Sequence, residues 1–238
     1  MKNKITLLSF FLTFTSLVAF SQKTVDASDI IKDIKAGKSI SISNATIVGD
    51  LDFTDIEEKL KNLPRKKRWW NNKGSNTIKN LIDTEISFVN CTFQDDVLAY
   101  IPDGENSGYT FIANFENDVI FKNCTFERKA MFKYSKFERN ASFENAKFQE
   151  DSTFKYAEFD NFISFANTVF EETATFKYTK FRNGVSFNNA KFEEDLNIKY
   201  TEVRGRFDIS GMKVAYDIDS KYTKINGKSF SRHLLNNQ

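Results

Sequence analysis

The feature that most constrains this fold is an eleven-residue repeat that runs from Val119 to Ile225. Two series of large apolar residues recur at that spacing, five residues apart, and small residues such as Ala146 and Ala157 lie two positions before most of them. The first series is Phe121, Phe132, Phe143, Phe154, Phe165, Phe176, Phe187, Ile198 and Ile209, and the second is Phe126, Phe137, Phe148, Phe159, Phe170, Phe181, Phe192, Val203, Val214 and Ile225. Self-similarity at a fixed spacing predicts a repeat architecture.

An α-helical coiled coil is the main competitor, because an eleven-residue hydrophobic spacing also occurs there. At about 100° per residue, however, the four recurring positions point in two opposed directions on a helix. The repeat is also rich in Phe, Thr, Asn, Ser and Tyr, which are poor helix formers. In an extended chain, residues two apart point to the same side. The pattern therefore indicates short strands that coil around their own core.

A longer period of twenty-two residues sets the size of one turn. Phe132-Lys133-Tyr134 recurs at Phe154-Lys155-Tyr156 and Phe176-Lys177-Tyr178, with Phe-x-Asn segments halfway between them. The segments within a turn are five or six residues long, which predicts four sides. Stacked turns are expected about 4.8 Å apart, and stacking makes the core continuous.

These residues resemble the pentapeptide-repeat family, whose motif is small-x-(Leu or Phe)-x-x. Ala146-Lys147-Phe148, Ala157-Glu158-Phe159 and Ala190-Lys191-Phe192 match it directly. The resemblance implies an all-β fold, a right-handed four-sided parallel β-helix with the Phe and the small residue inward. An extra residue in every second unit implies a bulged corner on two sides: Asn140, Asp151, Phe162, Thr173, Gly184 and Asp195. The motif specifies a fold and says little about function.

The chain divides into four predicted regions. These are a signal peptide at 1–21, a short N-terminal capping helix at 22–39, the β-solenoid at 40–226 with inserts at 57–84 and 98–110, and a C-terminal cap or tail at 227–238. The helix has an apolar stripe that includes Ile30 and Ile34, Asp26 or Ser28 as its N-cap, and Gly37 at its end. A solenoid needs such a cap because its first strands would otherwise be exposed edges.

Residues 1–21 predict export to the periplasm or the extracellular space. Lys2 and Lys4 precede an apolar stretch, and small residues follow near Ser21. The stretch is short for a membrane span, and no Cys follows it for a lipid anchor. The chain has 34 Lys and Arg and 32 Asp and Glu, so loss of the two lysines leaves 32 of each. This neutrality argues against nucleic acid as the partner.

The sequence offers no catalytic set, metal site or cofactor motif. Its one histidine, His233, lies near the end, where a surface role is expected. No Ser/His/Asp arrangement and no Gly-rich phosphate loop is present. Carboxylates are paired at Glu150-Asp151, Glu171-Glu172 and Glu193-Glu194-Asp195. We favour solvated turns there over a weak cation site, although hard cations do take several oxygen ligands.

Cys91 and Cys124 both occupy small inward positions. Two cysteines in an exported chain favour a disulfide. Their spacing, interpreted as one and a half turns, would instead separate them beyond the roughly 7 Å that a disulfide allows between Cα atoms. We favour two buried, unpaired thiols, with the disulfide as the alternative.

Two outward columns form the candidate binding face. They consist of Lys133, Tyr134, Lys155, Tyr156, Lys177, Tyr178, Lys199 and Tyr200, and Lys221 and Tyr222 extend them. Stacked identical side chains stabilise a ladder by themselves, and this structural interpretation is favoured. The functional alternative is a flat aromatic platform for a glycan, a peptide or an anionic polymer. A parallel column of Asn123, Asn145, Asn167 and Asn189 predicts structural hydrogen bonding.

The first insert carries the densest basic and aromatic cluster in the chain, a candidate loop made of Arg65, Lys66, Lys67, Arg68, Trp69 and Trp70. Three interpretations stay open: a solvated loop, a peripheral contact with anionic lipid headgroups, or a nucleic-acid contact. Export disfavours the last, so no nucleic acid is expected as a partner.

Together these features predict a non-enzymatic exported scaffold or binding module of the bacterial envelope, with no cofactor. Its partner would be an unidentified protein or envelope polymer. The family resemblance also implies pairing of two copies through a solenoid end. One alternative is a cytosolic, DNA-mimic-like protein that interacts with topoisomerases, which would need a mostly acidic face. Another is an accessory module to an envelope enzyme.

Overall fold

The computed structural model describes residues 23–63, 76–102 and 108–236. The chain in these ranges coils into a solenoid with four sides, and each side is a sheet of stacked strands. Neighbouring turns pair in parallel, with residues twenty-two apart in direct register through the regular part, such as Phe126 with Phe148. We call the sides faces 1 to 4, in the order in which each turn visits them from Ile40 onward.

The strands of face 1 are Ile40–Ser43, Ile86–Val89, Val119–Lys122, Ala141–Ser142, Ile163–Ser164, Val185–Ser186 and Phe207–Asp208. Those of face 2 are Lys23–Asp26, Ala45–Val48, Thr92–Phe93, Thr125–Phe126, Lys147–Phe148, Val169–Phe170, Lys191–Phe192 and Lys213–Val214.

Face 3 consists of Leu51–Asp52, Val97–Leu98, Ala130–Met131, Ser152–Thr153, Ala174–Thr175, Leu196–Asn197 and Ile218–Asp219. Face 4 consists of Thr77–Ile82, Thr110–Phe115, Lys136–Phe137, Glu158–Phe159, Lys180–Phe181, Glu202–Val203, Lys224–Ile225 and Lys228–Ser229, with Tyr100–Ile101 beside it. The all-β, four-sided parallel solenoid predicted from the repeat is confirmed.

Stacked phenylalanines fill the interior. Phe154 is fully buried and lies between Phe132 and Phe176, with ring centroids 5.3 and 5.0 Å away and nearly parallel planes. It also meets Phe143 and Phe165 edge to face at 5.4 and 5.1 Å. Aromatic pairs in such geometries add about 0.5–1.5 kcal/mol each beyond the burial of their area. Each ring therefore depends on the turns above and below it.

The small inward positions also accept threonine, because its hydroxyl finds a backbone partner. Thr168 donates to the Phe143 carbonyl at 2.9 Å, and Thr179 donates to the Phe154 carbonyl at 2.7 Å. Both side chains are fully buried. A buried hydroxyl without a partner would cost about 1–3 kcal/mol. Each threonine hydroxyl thus links its own turn to the preceding one.

A strand and a helix cover the N-terminal end. Lys23–Asp26 pairs with Ala45–Val48, and helix α1 follows as Ala27–Lys35. The Asp26 side chain accepts a hydrogen bond from the Ser28 amide at 2.7 Å, as an N-cap does. Ile30 and Ile34 are buried against the first turn. The helix is shorter than the predicted range 22–39, because the preceding residues extend face 2.

The inserts are shorter than the predicted ranges 57–84 and 98–110. Helix α2, Ile56–Lys61, opens the first insert, but Thr77–Ile82 already belongs to face 4. In this strand Asn80 occupies the inward position that Ala113 takes in the next turn. The Asn80 side-chain amide donates to the Phe53 carbonyl at 2.8 Å. This polar residue concealed the repeat. The second insert contains Tyr100–Ile101, which pairs antiparallel with Thr110–Phe115.

The C-terminal residues fold back over the last turns. Lys228–Ser229 pairs antiparallel with Lys224–Ile225, and helix α3 follows as Phe230–Asn236. Phe230 is buried, and Phe207 contacts both Phe230 and His233, at 6.2 and 5.2 Å between ring centroids. His233 is thus half-buried rather than a free surface residue. In the part of the chain that the structure describes, no helix is long and apolar enough to cross a membrane.

The two cysteines lie one turn apart. Thr92 pairs with Thr125, so the preceding residues, Cys91 and Cys124, are stacked neighbours. The interpretation as one and a half turns was wrong, because the second insert lengthens this turn to thirty-three residues. Both thiols are buried and unpaired in the structure.

Candidate binding surface

The candidate binding face lies at the corner between faces 3 and 4. In three successive turns of the solenoid the chain bends there through a Phe-Lys-Tyr-small β-turn, as in Phe154 to Ala157, where the Ala157 amide donates to the Phe154 carbonyl at 2.9 Å. In the next two turns of the solenoid Ile198 and Ser220 take the place of the phenylalanine. The tyrosine is the third residue of this turn and has a left-handed backbone. The φ angles are 64° at Tyr134, 60° at Tyr156, 61° at Tyr178, 59° at Tyr200 and 63° at Tyr222. We call this column the Tyr corner.

A positive φ at the third residue is what a type II turn demands, and glycine or asparagine normally supplies it. For a bulky residue such as tyrosine this conformation is uncommon. Strained backbone costs on the order of 1–3 kcal/mol per residue and is often found at functional sites. The Tyr corner repeats this uncommon choice in five successive turns.

The five rings stack into a continuous ladder. Neighbouring centroids are 4.9, 4.7, 4.6 and 4.8 Å apart from Tyr134 to Tyr222, with planes within 6° for the first three pairs. Because the rings face one another, solvent meets mainly their edges and hydroxyl groups. Tyr156 is 38% exposed. The rings therefore stack, as the favoured structural interpretation predicts, and do not form the flat aromatic platform of the functional alternative.

A lysine precedes every ladder tyrosine and holds its ammonium group near the ring. The Nζ atoms of Lys133, Lys155 and Lys177 are 5.0, 5.4 and 5.4 Å from the centroid of the following tyrosine. Lys199 and Lys221 repeat the contact at 5.9 and 5.1 Å. Such cation–π contacts contribute about 0.5–1 kcal/mol at exposed sites.

The positive charge of this lysine column is largely unbalanced. Of the five lysines in this column, only Lys199 has a carboxylate of the described residues within salt-bridge distance. That carboxylate is Asp219, at 3.8 Å. Charges one turn apart, at about 5 Å, repel by about 1 kcal/mol in water. Burial, followed by repulsion from Lys133 and Lys177, lowers the pKa of Lys155.

Face 4 handles its charges differently, although it starts at the same corner. Its outward residues alternate in sign, as Lys136, Glu158 and Lys180 show. Lys136 bonds Asp160 at 3.0 Å, and Arg182 bonds Asp160 at 3.2 Å. Because these charges are paired along the sheet, face 4 presents little net field.

The N-terminal end of the ladder closes on Tyr100, which the sequence analysis missed because it lies inside the second predicted insert. Lys133 Nζ donates to the Tyr100 hydroxyl at 3.0 Å and lies 4.5 Å from its ring centroid. The Tyr100 ring is 5.8 Å from that of Tyr134 and tilted by 51°. Tyr100 is buried, so it anchors the first lysine without extending the exposed ladder.

Face 3 adjoins the lysine column and is uncharged along its middle. Its outward residues there are Met131, Thr153, Thr175 and Asn197, in register on successive turns. A shallow groove of about 450 Å³ lies between this column and Lys133 and Lys155, with Tyr100 at one end, and Lys129 and Asp151 also line it. The surface beside the ladder therefore offers hydroxyl and amide groups together with ammonium groups.

The opposite corner, between faces 1 and 2, has the same turn with asparagine. Asn123, Asn145 and Asn167 have φ of 54°, 56° and 57°. Each side-chain amide donates to the preceding one, Asn145 to Asn123 at 2.8 Å and Asn167 to Asn145 at 3.0 Å. We call this column the Asn corner, and its predicted structural hydrogen bonding is observed. The column ends at Asn189, whose side-chain amide donates to Asn188 instead. The Asn189 side chain also fills the space beside Gly211, where a Cβ atom on the glycine would collide with the Asn189 amide.

The remaining predicted sites contribute little chemistry. The cluster Arg65–Trp70 lies outside the described residues. The carboxylates at Glu150 and Glu171 bond Arg128 and Lys147, at 3.5 and 2.7 Å. Within residues 23–63, 76–102 and 108–236, no group of three or more His, Cys, Asp or Glu side chains is placed to hold a metal.

A cleft of about 410 Å³ lies at the N-terminal end between α1, α2 and face 3. Its aspartates already serve the fold. Asp52 accepts from the Thr54 amide and hydroxyl at 2.8 and 2.6 Å, and Asp55 bonds Lys35. Burial raises the pKa of Asp52 despite these bonds. We therefore place the candidate surface at the Tyr corner.

Comparison with known protein families identifies the repeat. Residues 113–158 and 154–202 match the model of a family described as pentapeptide repeats (9 copies). Pentapeptide repeats therefore make up residues 113–202 of this chain. The matched residues include most of the Tyr corner, from Tyr134 to Tyr200. Searches among curated proteins and among solved structures found no match for the chain.

Proposed function

We propose that this pentapeptide-repeat protein is a non-enzymatic, exported binding module of the bacterial envelope, and that the Tyr corner binds its partner. The observation that carries the proposal is the repeated use of tyrosine where the same turn elsewhere uses asparagine. Asparagine meets the backbone demand at lower cost, so stability alone does not account for five tyrosines. Exposed ring edges and unbalanced ammonium groups give this corner a recognition surface that the Asn corner lacks.

The test replaces the rings without disturbing the turn. In Y156N/Y178N each tyrosine becomes the residue that the opposite corner uses at the same φ. We expect the protein to remain folded and to lose capture of its partner from an envelope extract. A matched control, N145G/N167G, removes two side chains from the Asn corner and keeps a residue suited to positive φ. Capture that persists in Y156N/Y178N would show that the Tyr corner is structural only.

Export is a separate part of the proposal, supported by the sequence of residues 1–21. Cell fractionation with N-terminal sequencing tests it. A mature chain that starts near Ser21 in the periplasmic or secreted fraction supports export. An intact Met1 in the cytosol would favour the DNA-mimic alternative, although the most regular charged column in the structure, the ladder lysines, is positive.

Pairing of two copies through the C-terminal end is a further part of the proposal. Faces 1, 2 and 3 end at Phe207–Asp208, Lys213–Val214 and Ile218–Asp219. Tyr216 nearby is 67% exposed. Exposed strand edges with apolar residues favour association. I218K should shift a dimer to a monomer in light scattering, and an unchanged mass would argue against this contact.

The role of an accessory to an envelope enzyme stays the second alternative. A screen for glycosidase and esterase turnover, repeated on a chain that lacks residues 62–75 and keeps the Thr77–Ile82 strand of face 4, tests it. Turnover lost with that deletion would overturn the non-enzymatic proposal.

A further inference from the structure

We infer that the Tyr corner binds a linear acidic polysaccharide that carries one carboxylate per sugar and runs parallel to the solenoid axis. This inference rests on the proposed function, because it names the class of partner for the same surface.

The charge favours an anionic partner. Lys133, Lys155 and Lys177 have no carboxylate within 4 Å among the described residues, whereas the cations of face 4 are paired with Glu158 and Asp160. The stems of these lysines are held beside the rings, so their ammonium groups form an ordered row. A bound polyanion would relieve the repulsion within that row.

The orientation of the rings disfavours a neutral glycan. Sugars bind aromatic side chains best through the open face of the ring, but the faces of Tyr156 and Tyr178 are covered by their neighbours at 4.6–4.9 Å. The groups left for a ligand are ammonium groups and phenolic hydroxyls. These groups recognise carboxylates and sugar hydroxyls through hydrogen bonds.

The spacing fits one charge per sugar. The lysines recur once per turn, about 4.8 Å apart, so the row from Lys133 to Lys221 spans about 19 Å. One pyranose unit of an extended polysaccharide is about as long as one turn is high. Thr153 and Thr175 lie beside the row on face 3, and their hydroxyl groups face the sugar rings in the groove there, at whose far side Lys129 and Asp151 contribute one charge of each sign.

Duplex DNA fits the same row poorly. It carries one charge per about 1.7 Å of its axis, several times denser than one ammonium group per turn. Its cylinder would also meet a single protruding corner and leave the groove on face 3 empty. DNA is therefore an outcome of the test and not part of the inference.

The probe is polygalacturonate, and its methyl ester is the matched neutral polymer. The test variant K155M/K177M removes two adjacent ladder charges and keeps the length of the side chains. The control K191M/K213M removes two exposed lysines that are stacked in the same way on face 2, away from the Tyr corner. Calorimetry on the full chain measures affinity, and urea unfolding checks that both variants fold. K155Q/K177Q replaces the test variant if the methionines aggregate.

We expect wild type to bind polygalacturonate and not its methyl ester. K155M/K177M should lose affinity on the order of tenfold or more, and K191M/K213M less than about twofold. Added salt should weaken binding as it screens the charges. This combination supports the inference.

Three results would overturn it. Equal binding of both polymers, with K155M/K177M unaffected, rejects the acidic class. If Y156N/Y178N still loses capture from extract in that case, the proposed function stands and only the inference fails. Tighter binding of duplex DNA at the same salt concentration assigns the surface to another class of polymer. If no polymer binds, and both Y156N/Y178N and K155M/K177M still capture the partner from extract, the proposed function is rejected as well.

Discussion

The Asn corner and the Tyr corner form the same turn with different side chains. Asn145 and Tyr156 have φ of 56° and 60°, and each is followed by a small buried alanine whose amide closes the turn. Asn145 continues a chain of amide hydrogen bonds, and Tyr156 continues a stack of rings. The comparison separates what the solenoid demands of the backbone from what the surface does with the side chain.

The energies of the two corners explain why the difference matters. Asparagine tolerates positive φ, and each amide bond adds about 1 kcal/mol. Tyrosine costs on the order of 1–3 kcal/mol in this conformation, and stacking returns about 0.5–1.5 kcal/mol per ring pair. Tyrosine is therefore close to neutral for stability. The Asn corner stabilises the fold, whereas the Tyr corner adds a surface without a large gain in stability.

The largest effect is expected from tyrosine in the wrong corner. Asn145→Tyr loses the bonds to Asn123 and Asn167 and places a ring at positive φ without aromatic neighbours. We expect a loss of about 2–4 kcal/mol in the free energy of unfolding, measured by urea titration. A loss below about 1 kcal/mol would show that the two corners are interchangeable.

Removal of one ring from the ladder should have a smaller effect. Tyr156→Ala loses stacking on both faces, to Tyr134 and Tyr178, and the lysine contact. We expect a loss of about 1–2 kcal/mol by the same measurement. Tyr156→Phe is the control, because it keeps the ring and should stay within about 0.5 kcal/mol of wild type. Equal losses in both variants would assign the stability to the hydroxyl group.

The reciprocal exchange should be nearly silent. Tyr156→Asn gives up stacking but relieves the backbone, so we expect the free energy of unfolding to change by less than about 1 kcal/mol. Urea unfolding beside Asn145→Tyr makes the comparison direct. A loss as large as that of Asn145→Tyr would mean that the tyrosines are there for stability.

The pH dependence of the Tyr corner should be smaller still. The pKa of Lys155 is lowered by burial and by its lysine neighbours, so the unfolded chain holds this proton to higher pH than the folded chain. Stability from this group therefore rises with pH, between its folded pKa and the ordinary pKa of lysine. We expect wild type to gain only a few tenths of a kcal/mol over K155M there, because Lys155 is only partly buried and the surrounding water screens its charge. A gain at falling pH would contradict the sign.

The two thiols lie beside the Asn corner. Cys124 directly follows Asn123, and Cys91 occupies the same position one turn earlier. The hydrogen bond with Cys124 lowers the pKa of Cys91, and the same bond, followed by burial, raises that of Cys124. Both side chains are only 1% exposed, so burial should control their reactivity. We expect neither thiol to react with a thiol reagent until urea unfolds the chain. Rapid labelling of the native protein would show that this part of the corner opens.

The sequence by itself determined the fold, because the same short-range pattern of inward residues recurs in every turn of the solenoid. The period of two along each strand fixed which residues point inward, and the period of twenty-two fixed the turn. The alternation of the Tyr and Asn columns also followed from sequence, whereas the N-cap of α1 was narrowed only to Asp26 or Ser28. The Arg65–Trp70 loop and the signal peptide at 1–21 stay predictions, since both lie outside the described residues.

Only the tertiary structure decided what depends on neighbouring turns. It placed Cys91 against Cys124, put Asn80 in an inward position, and brought Tyr100 to the end of the ladder. It also turned an apparent aromatic platform into a row of ring edges and ammonium groups. Spacing along a chain fixes the direction of each side chain, but whether a ring face is open depends on the residue stacked upon it one turn away.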